Sequence, residues 1–238
     1  YKKWKIHLNE HYAQQAAEVD AMGRTPTYLI SDGSSPCMGP EWSPDGVKLV
    51  WSCANSVKGA AIMIQDGVTG DPEVELKGAF ARDFTWRADG KAFFYSSSHV
   101  VDRFNLYDDV WFHELGKSSL SPVTSGKRTR TPTLSPDGRD LIAVQNRAQK
   151  NQLVRLSVDR KLDKLTQHTD DTQISTPRYS PDGKFLALSR WTDGFRDIWI
   201  YDAEGAPLRR VTADLAQDMD PSWSPDGRYL YFSSDRSG

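Results

Sequence analysis

Short apolar runs alternate with polar, turn-forming stretches along most of the chain, and the most regular of these runs follow a glycine. The third residue after Gly46, Gly90, Gly138, Gly183 and Gly227 is always large and apolar: Leu49, Phe93, Leu141, Leu186 and Leu230. The fifth is Trp51, Tyr95, Ala143, Leu188 or Phe232, and the residue between the two is mostly apolar as well (Val50, Phe94, Ile142, Ala187, Tyr231). Period-2 apolarity on one face, with the other face also largely apolar, predicts a strand covered on both sides. A third apolar run follows at 61–64, 110–112, 153–156 and 198–201. A fourth is expected to end in an apolar residue plus Thr: Val123-Thr124, Leu165-Thr166 and Val211-Thr212.

Each of those glycines closes a turn. The five copies are Trp42-Ser43-Pro44-Asp45-Gly46, Trp86-Arg87-Ala88-Asp89-Gly90, Leu134-Ser135-Pro136-Asp137-Gly138, Tyr179-Ser180-Pro181-Asp182-Gly183 and Trp223-Ser224-Pro225-Asp226-Gly227. Proline presets φ at the first central position of a type I turn, Asp tolerates the second, and Gly takes the left-handed conformation that closes the hairpin. In the second copy Arg87-Ala88 replaces Ser-Pro, and a looser turn is expected there. The aspartates lie 44, 48, 45 and 44 residues apart, which marks a repeat architecture. One unit is thus a four-stranded antiparallel meander that cannot bury both faces alone. Copies must stack, and short strands with turns and no helical period favour a radial β-propeller over an open array. The fold class is all-β, with five repeats of which the last is incomplete: the pattern expects two more strands beyond Gly238, so the chain reads as a piece of a longer protein.

The segment from Asp220 through Trp223-Ser224-Pro225-Asp226-Gly227-Arg228-Tyr229-Leu230-Tyr231-Phe232 to Ser233-Ser234-Asp235-Arg236-Ser237-Gly238 resembles the WD-like repeat of TolB-type β-propellers. So does Asp197-Ile198-Trp199-Ile200-Tyr201-Asp202, running on to Arg209-Arg210-Val211-Thr212. The resemblance covers about residues 27–238. It implies a protein-binding scaffold in the bacterial cell envelope, periplasmic or extracytoplasmic.

Residues 2–22 break the β pattern. Trp4, Leu8, Tyr12, Ala16 and Val19 form a helical stripe that Gly23 and Pro26 terminate. This helix resembles the last helix of metallopeptidase-like domains that precede TolB-type repeats. The expected division is residues 1–24, the end of a preceding domain, and 25–238, the propeller; a strand at 27–31 is a candidate outer strand for the fifth blade.

Composition narrows the function. Thirty basic residues against 32 acidic ones argue against nucleic acid as the main partner, and no apolar stretch is long enough to span a membrane as a helix. His7-Leu8-Asn9-Glu10-His11 fits the inverted zinc-peptidase signature, but its third ligand would have to come from outside the chain, so zinc at His7 and His11 is disfavoured. His113-Glu114 lacks a second ligand, since Lys117 stands in its place. Ser97, His99 and Asp102 are close in sequence but are expected in the loop joining strands two and three of the second blade. No serine elbow, phosphate loop or dinucleotide fingerprint is present, so no catalytic residue and no cofactor is expected.

Two features remain. If Ser43 pairs with Val47, residue numbers across the first hairpin sum to 90, and so do Cys37 and Cys53, which makes them a candidate disulfide and a pointer to an oxidising compartment. The innermost strands should line a channel, with Glu41, Thr85, Thr133, Arg178 and Ser222 alternating against the motif residues that pack between blades. Glu41, Arg178 and, at the channel mouth, Asp83 and Asp220 are the candidate binding residues, with capping of local backbone amides as the competing role for the two aspartates. The expected partner is a protein or peptide at a rim or at that mouth. The alternative is an accessory or substrate-gating propeller of a larger peptidase, prolyl-oligopeptidase-like or metallopeptidase.

Overall fold

The structure, a computed structural model, describes residues 35–236 apart from 56–58, 148–149, 157–161, 167–171 and 193, together with positions 3, 4, 6, 13, 17 and 30. The chain divides into two compact units, Tyr1–Asp32 and Gly33–Gly238. The helix expected over 2–22, with His7 and His11, lies outside the described residues but for five scattered positions, and so does the expected strand at 27–31 but for Ile30.

The second unit is a run of antiparallel meanders. The first comprises β1 (Cys37–Trp42), β2 (Lys48–Asn55), β3 (Gly59–Asp66) and β4 (Glu73–Lys77). The second is β5 (Ala81–Trp86), β6 (Ala92–Val101), β7 (Asn105–Glu114) and β8 (Ser121–Pro122), and the third β9 (Thr129–Leu134), β10 (Leu141–Arg147), β11 (Lys150–Leu156) and β12 (Leu162–Lys164). The fourth is β13 (Gln173–Tyr179), β14 (Phe185–Thr192), β15 (Phe195–Asp202) and β16 (Pro207–Arg210); β17 (Asp218–Trp223) and β18 (Leu230–Ser234) form a two-stranded fifth sheet. The first strand of each sheet packs against the first strand of the next, from β1 to β5, β9, β13 and β17. These are blades of a β-propeller with their first strands innermost.

The turns explain why the repeat is so legible. In four copies the Ser hydroxyl donates to the Asp carboxylate at 2.5–2.6 Å and accepts the N–H of the residue five positions on, at 2.8–3.0 Å. The same carboxylate accepts the N–H two residues beyond it, at 3.0–3.1 Å. The second copy is as tight as the rest: Gly90 N–H donates to the Arg87 carbonyl at 2.9 Å, against 2.8 Å for Gly46 to Ser43. The expected looser turn is absent because the Arg87 guanidinium grips Asp89, its Nε 2.9 Å from both carboxylate oxygens.

Each inner strand carries a β-bulge at one position, between Met38 and Glu41, Ala81 and Phe84, Ser175 and Arg178, Met219 and Ser222, and on β9 between Arg130 and Thr133. At that position Gly39, Thr131, Thr176 and Asp220 have positive φ. The bulge corrects the register assumed from sequence. Near the first turn Trp42 faces Leu49 and Glu41 faces Val50, a sum of 91; past the bulge Cys37 faces Cys53, a sum of 90. The two cysteines are joined in a disulfide because the extra residue shifts the strand by one.

The fourth strands are shorter than expected, and the apolar-Thr pair lies just past each. Val123, Leu165 and Val211 still donate their N–H to the carbonyls of Val110, Leu153 and Ile198, at 2.8, 2.9 and 2.8 Å. The following hydroxyls of Thr124, Thr166 and Thr212 then accept the N–H of those same three residues at 2.9, 2.8 and 3.0 Å. A side chain thereby finishes the ladder where the backbone turns away. Between blades the apolar positions merge into three cores. Val50, Ile62, Phe84, Trp86 and Phe93 join the first and second; Val110, Ala143 and Val154, with Phe94 and Leu134, join the second and third; Ile142, Leu153, Ile174, Leu186 and Tyr201 join the third and fourth.

Candidate binding face on the inner strands

In the first four blades the residue before the turn motif sits on an inner strand and meets the next blade. Two chemistries close that junction. Where the next motif begins with Trp, its indole donates to the backbone carbonyl: Trp86 Nε1 to Glu41 O at 3.4 Å, and Trp223 Nε1 to Arg178 O at 3.1 Å. Where it begins with Leu134 or Tyr179, the backbone N–H donates instead to a threonine hydroxyl, Thr85 Oγ1 at 3.1 Å and Thr133 Oγ1 at 3.3 Å. The side chains of Thr85 and Thr133 are therefore used up by the fold; Glu41 and Arg178 make the junction through backbone carbonyls instead, and Arg178 Nη1 donates to the Pro177 carbonyl at 3.2 Å. Both are half-buried, and although they belong to the first and fourth blades they interact electrostatically. Burial raises the Glu41 carboxyl above its ordinary value, and the Arg178 charge offsets part of that rise.

The two candidate aspartates separate in the same way. Asp83 is half-buried and accepts the Ser96 hydroxyl at 2.5 Å. Asp220 is exposed at the bulge, φ +53°; its N–H donates to Ser189 Oγ at 3.1 Å, and its carboxylate has no hydrogen bond or ion pair among the described residues. Of the four candidates, Asp83 is thus committed to its own hairpin, Arg178 is hydrogen-bonded to its neighbour's carbonyl, and the Glu41 and Asp220 carboxylates have no hydrogen bond among the described residues.

The other candidates are occupied by the fold. Ser97 and His99 stand on β6 rather than in a loop, because the second hairpin pairs in register out to Val101 and Asn105. Ser97 Oγ donates to the Phe80 carbonyl at 3.1 Å, His99 lies 3.8 Å from buried Asp109, and Asp102 is at the hairpin tip with φ +52°. His113 is buried and holds Glu75 of the preceding blade at 2.8 Å. Among the described residues no group of three or more His, Cys, Asp or Glu side chains is arranged to hold a metal, and no helix is long and apolar enough to cross a membrane.

Residues 166–238 match the TolB beta propeller domain family. These are TolB-type propeller repeats. A Tol-Pal system protein TolB of Anaeromyxobacter dehalogenans is 38% identical over 95 residues, which is 39% of this chain and 21% of that protein. An uncharacterised protein of Agrobacterium fabrum is 27% identical over 209 residues, 82% of this chain and 64% of the relative. Among solved structures, one reported for a TolB-type protein of Agrobacterium tumefaciens superposes with a TM-score of 0.70 at 23% identity, covering 85% of this chain and 71% of that one. The chain thus spans less than two thirds of the curated relatives it matches. None of these matches supports the metallopeptidase resemblance of the N-terminal segment.

Sequence reasoning missed two cavities. One, of about 610 Å3, lies between the fourth and fifth TolB-type blades, with Phe185, Ile200, Leu208, Pro181 and Trp223 in its wall and Arg209 beside them. The signal for it was Leu208, apolar on an otherwise polar fourth strand. The other, of about 290 Å3, lies between the second and third blades.

Proposed function

We infer that this chain is a non-catalytic propeller module that binds another protein or peptide on the axial face of its inner strands, in an extracytoplasmic compartment. The observation that carries the reading is the division of labour at one strand position. Thr85 and Thr133 spend their side chains on blade junctions, whereas Glu41 and Arg178 make the same junctions through backbone carbonyls, so neither charged side chain is needed for the junction. Half-buried charges that the blade junctions do not consume are the groups a partner's polar atoms can engage. The Cys37–Cys53 disulfide supports an oxidising compartment, and the match to Tol-Pal system proteins supports a cell-envelope role.

The test is site-specific photo-cross-linking in the native cell. A photoreactive residue replaces Arg178 or Asp220 on the inner face, and Leu208 on the fourth strand of the fourth blade serves as the outer control. Protein adducts at the two inner positions and none at the control are expected. Adducts at the outer position alone would place the partner elsewhere and overturn the axial reading.

A further inference from the structure

The smaller cavity lies at the rim opposite the Pro-Asp-Gly turns, where β7, just past the tip of the long β6–β7 hairpin, meets the start of β9. Its wall comprises Leu106, Tyr107 and Asp108 of β7, Arg128 and Arg130 at the start of β9, and Asn146 of β10. Arg128 adopts φ +57°, an uncommon conformation for a side-chain-bearing residue, and strain of this kind concentrates at ligand sites. Its guanidinium lies 4.3 Å from the centre of the Tyr107 ring and donates to the Tyr107 hydroxyl at 2.8 Å, which fixes the fork in place.

Arg130 is the decisive residue. Its Nε is buried without a partner, and the side chain has no hydrogen bond or ion pair among the described residues. A buried guanidinium N–H with nothing to donate to is costly, and the fold supplies no remedy. Asp108 does not provide one. Its carboxylate is held by Arg82 at 2.8 Å and by the Ser98 hydroxyl.

We propose that this cavity is a binding site for a carboxylate carried next to an apolar group, received by Arg130 and Arg128. A planar carboxylate suits two guanidinium forks. A dianion such as phosphate would meet the Asp108 charge at full strength, a single carboxylate at about half. The volume of about 290 Å3 admits one small group and excludes a nucleotide. Leu106, 65% exposed in the wall, with Val100 and Phe104 further along the same hairpin, offers the apolar contact. The carboxylate can be that of a free acid or of a polypeptide C-terminus, and the test separates the two. The site does not rest on the axial reading, and its test leaves that reading untouched.

The experiment follows the Arg130 Nε–H resonance by NMR in the whole chain. N-acetyl-leucine should shift it saturably, N-acetyl-leucinamide should not, and inorganic phosphate should bind at least tenfold more weakly. Tighter binding of acetyl-Ala-Ala-Leu than of N-acetyl-leucine would assign a polypeptide C-terminus; equal binding would assign a small acid. Arg130→Gln, followed through neighbouring amides, should weaken N-acetyl-leucine at least tenfold. Should that variant lose its fold, Arg128→Asn, at an exposed position, should weaken it severalfold. Equal shifts with the acid and the amide, preference for phosphate, or unchanged binding in both variants would overturn the proposal.

Discussion

At the scale of single residues, this protein spends acidic side chains in two ways, and they answer to pH with opposite sign. The turn aspartates Asp45, Asp137, Asp182 and Asp226 are held below their ordinary range chiefly by the serine hydroxyl two positions before, then by a backbone N–H. Asp89 reaches about 2 through Arg87. A carboxyl depressed in the folded state contributes stability above its unfolded value of 3.8 and loses it as pH falls through the folded one. Denaturant midpoints should therefore fall steeply from pH 3.8 toward pH 2, and Asp89→Asn should flatten that limb. Glu41 runs the other way. Its carboxyl is raised by burial, so the folded state favours the protonated form and stability declines as pH climbs past 4.5. Glu41→Gln should be more stable than the parent protein at neutral pH and no more stable below 4.5, as urea melts at both values would show.

At the scale of strands, the junction between blades has two interchangeable solutions, and each is sensitive to one atom. Thr85→Val keeps the shape but leaves the Leu134 N–H without its acceptor, a loss of about 1–3 kcal/mol. Thr85→Ser should recover most of it, and thermal melts of the two variants decide the point. Trp223→Phe removes the indole donor to the Arg178 carbonyl and should behave like Thr85→Val. Both solutions stand in the sequence, as Thr85 and Thr133 one repeat ahead of Leu134 and Tyr179 and as Trp86 and Trp223 one repeat beyond Glu41 and Arg178, yet their meaning is invisible there, because the partner is 45 to 49 residues away. The turns were legible because Pro, Asp and Gly each have a local conformational reason to be present. The bulges were not, because Gly39, Asp83, Thr131, Thr176 and Asp220 share a place and no chemistry. The arginine cavity was equally hidden, since it exists only once the fold brings Tyr107 and Asn146 beside Arg128 and Arg130.

At the scale of the whole unit, stability is distributed along the chain. Each apolar core joins two consecutive blades, so the unit behaves as a series of nearest-neighbour contacts. Gly39 tightens the first of these: a Cβ there would collide with the Arg82 carbonyl of the next blade. The disulfide closes a loop with a sequence separation of 16 residues, worth about 3 kcal/mol from the unfolded chain's lost freedom. Replacing both cysteines with serine should lower the melting temperature by about 6–12 °C for a protein of this size, measured by calorimetry against the oxidised parent. Its placement in one blade alone has a mechanical consequence. Stretched between its ends in an optical trap, a chain with a repeat of 44 to 48 residues should lengthen by roughly 150 Å for each complete blade that gives way. The first blade should fall short by about 55 Å until a reductant is added, since the disulfide keeps its loop out of reach of the pull. One covalent bond in one blade thus gives an otherwise repetitive molecule a direction that force can read.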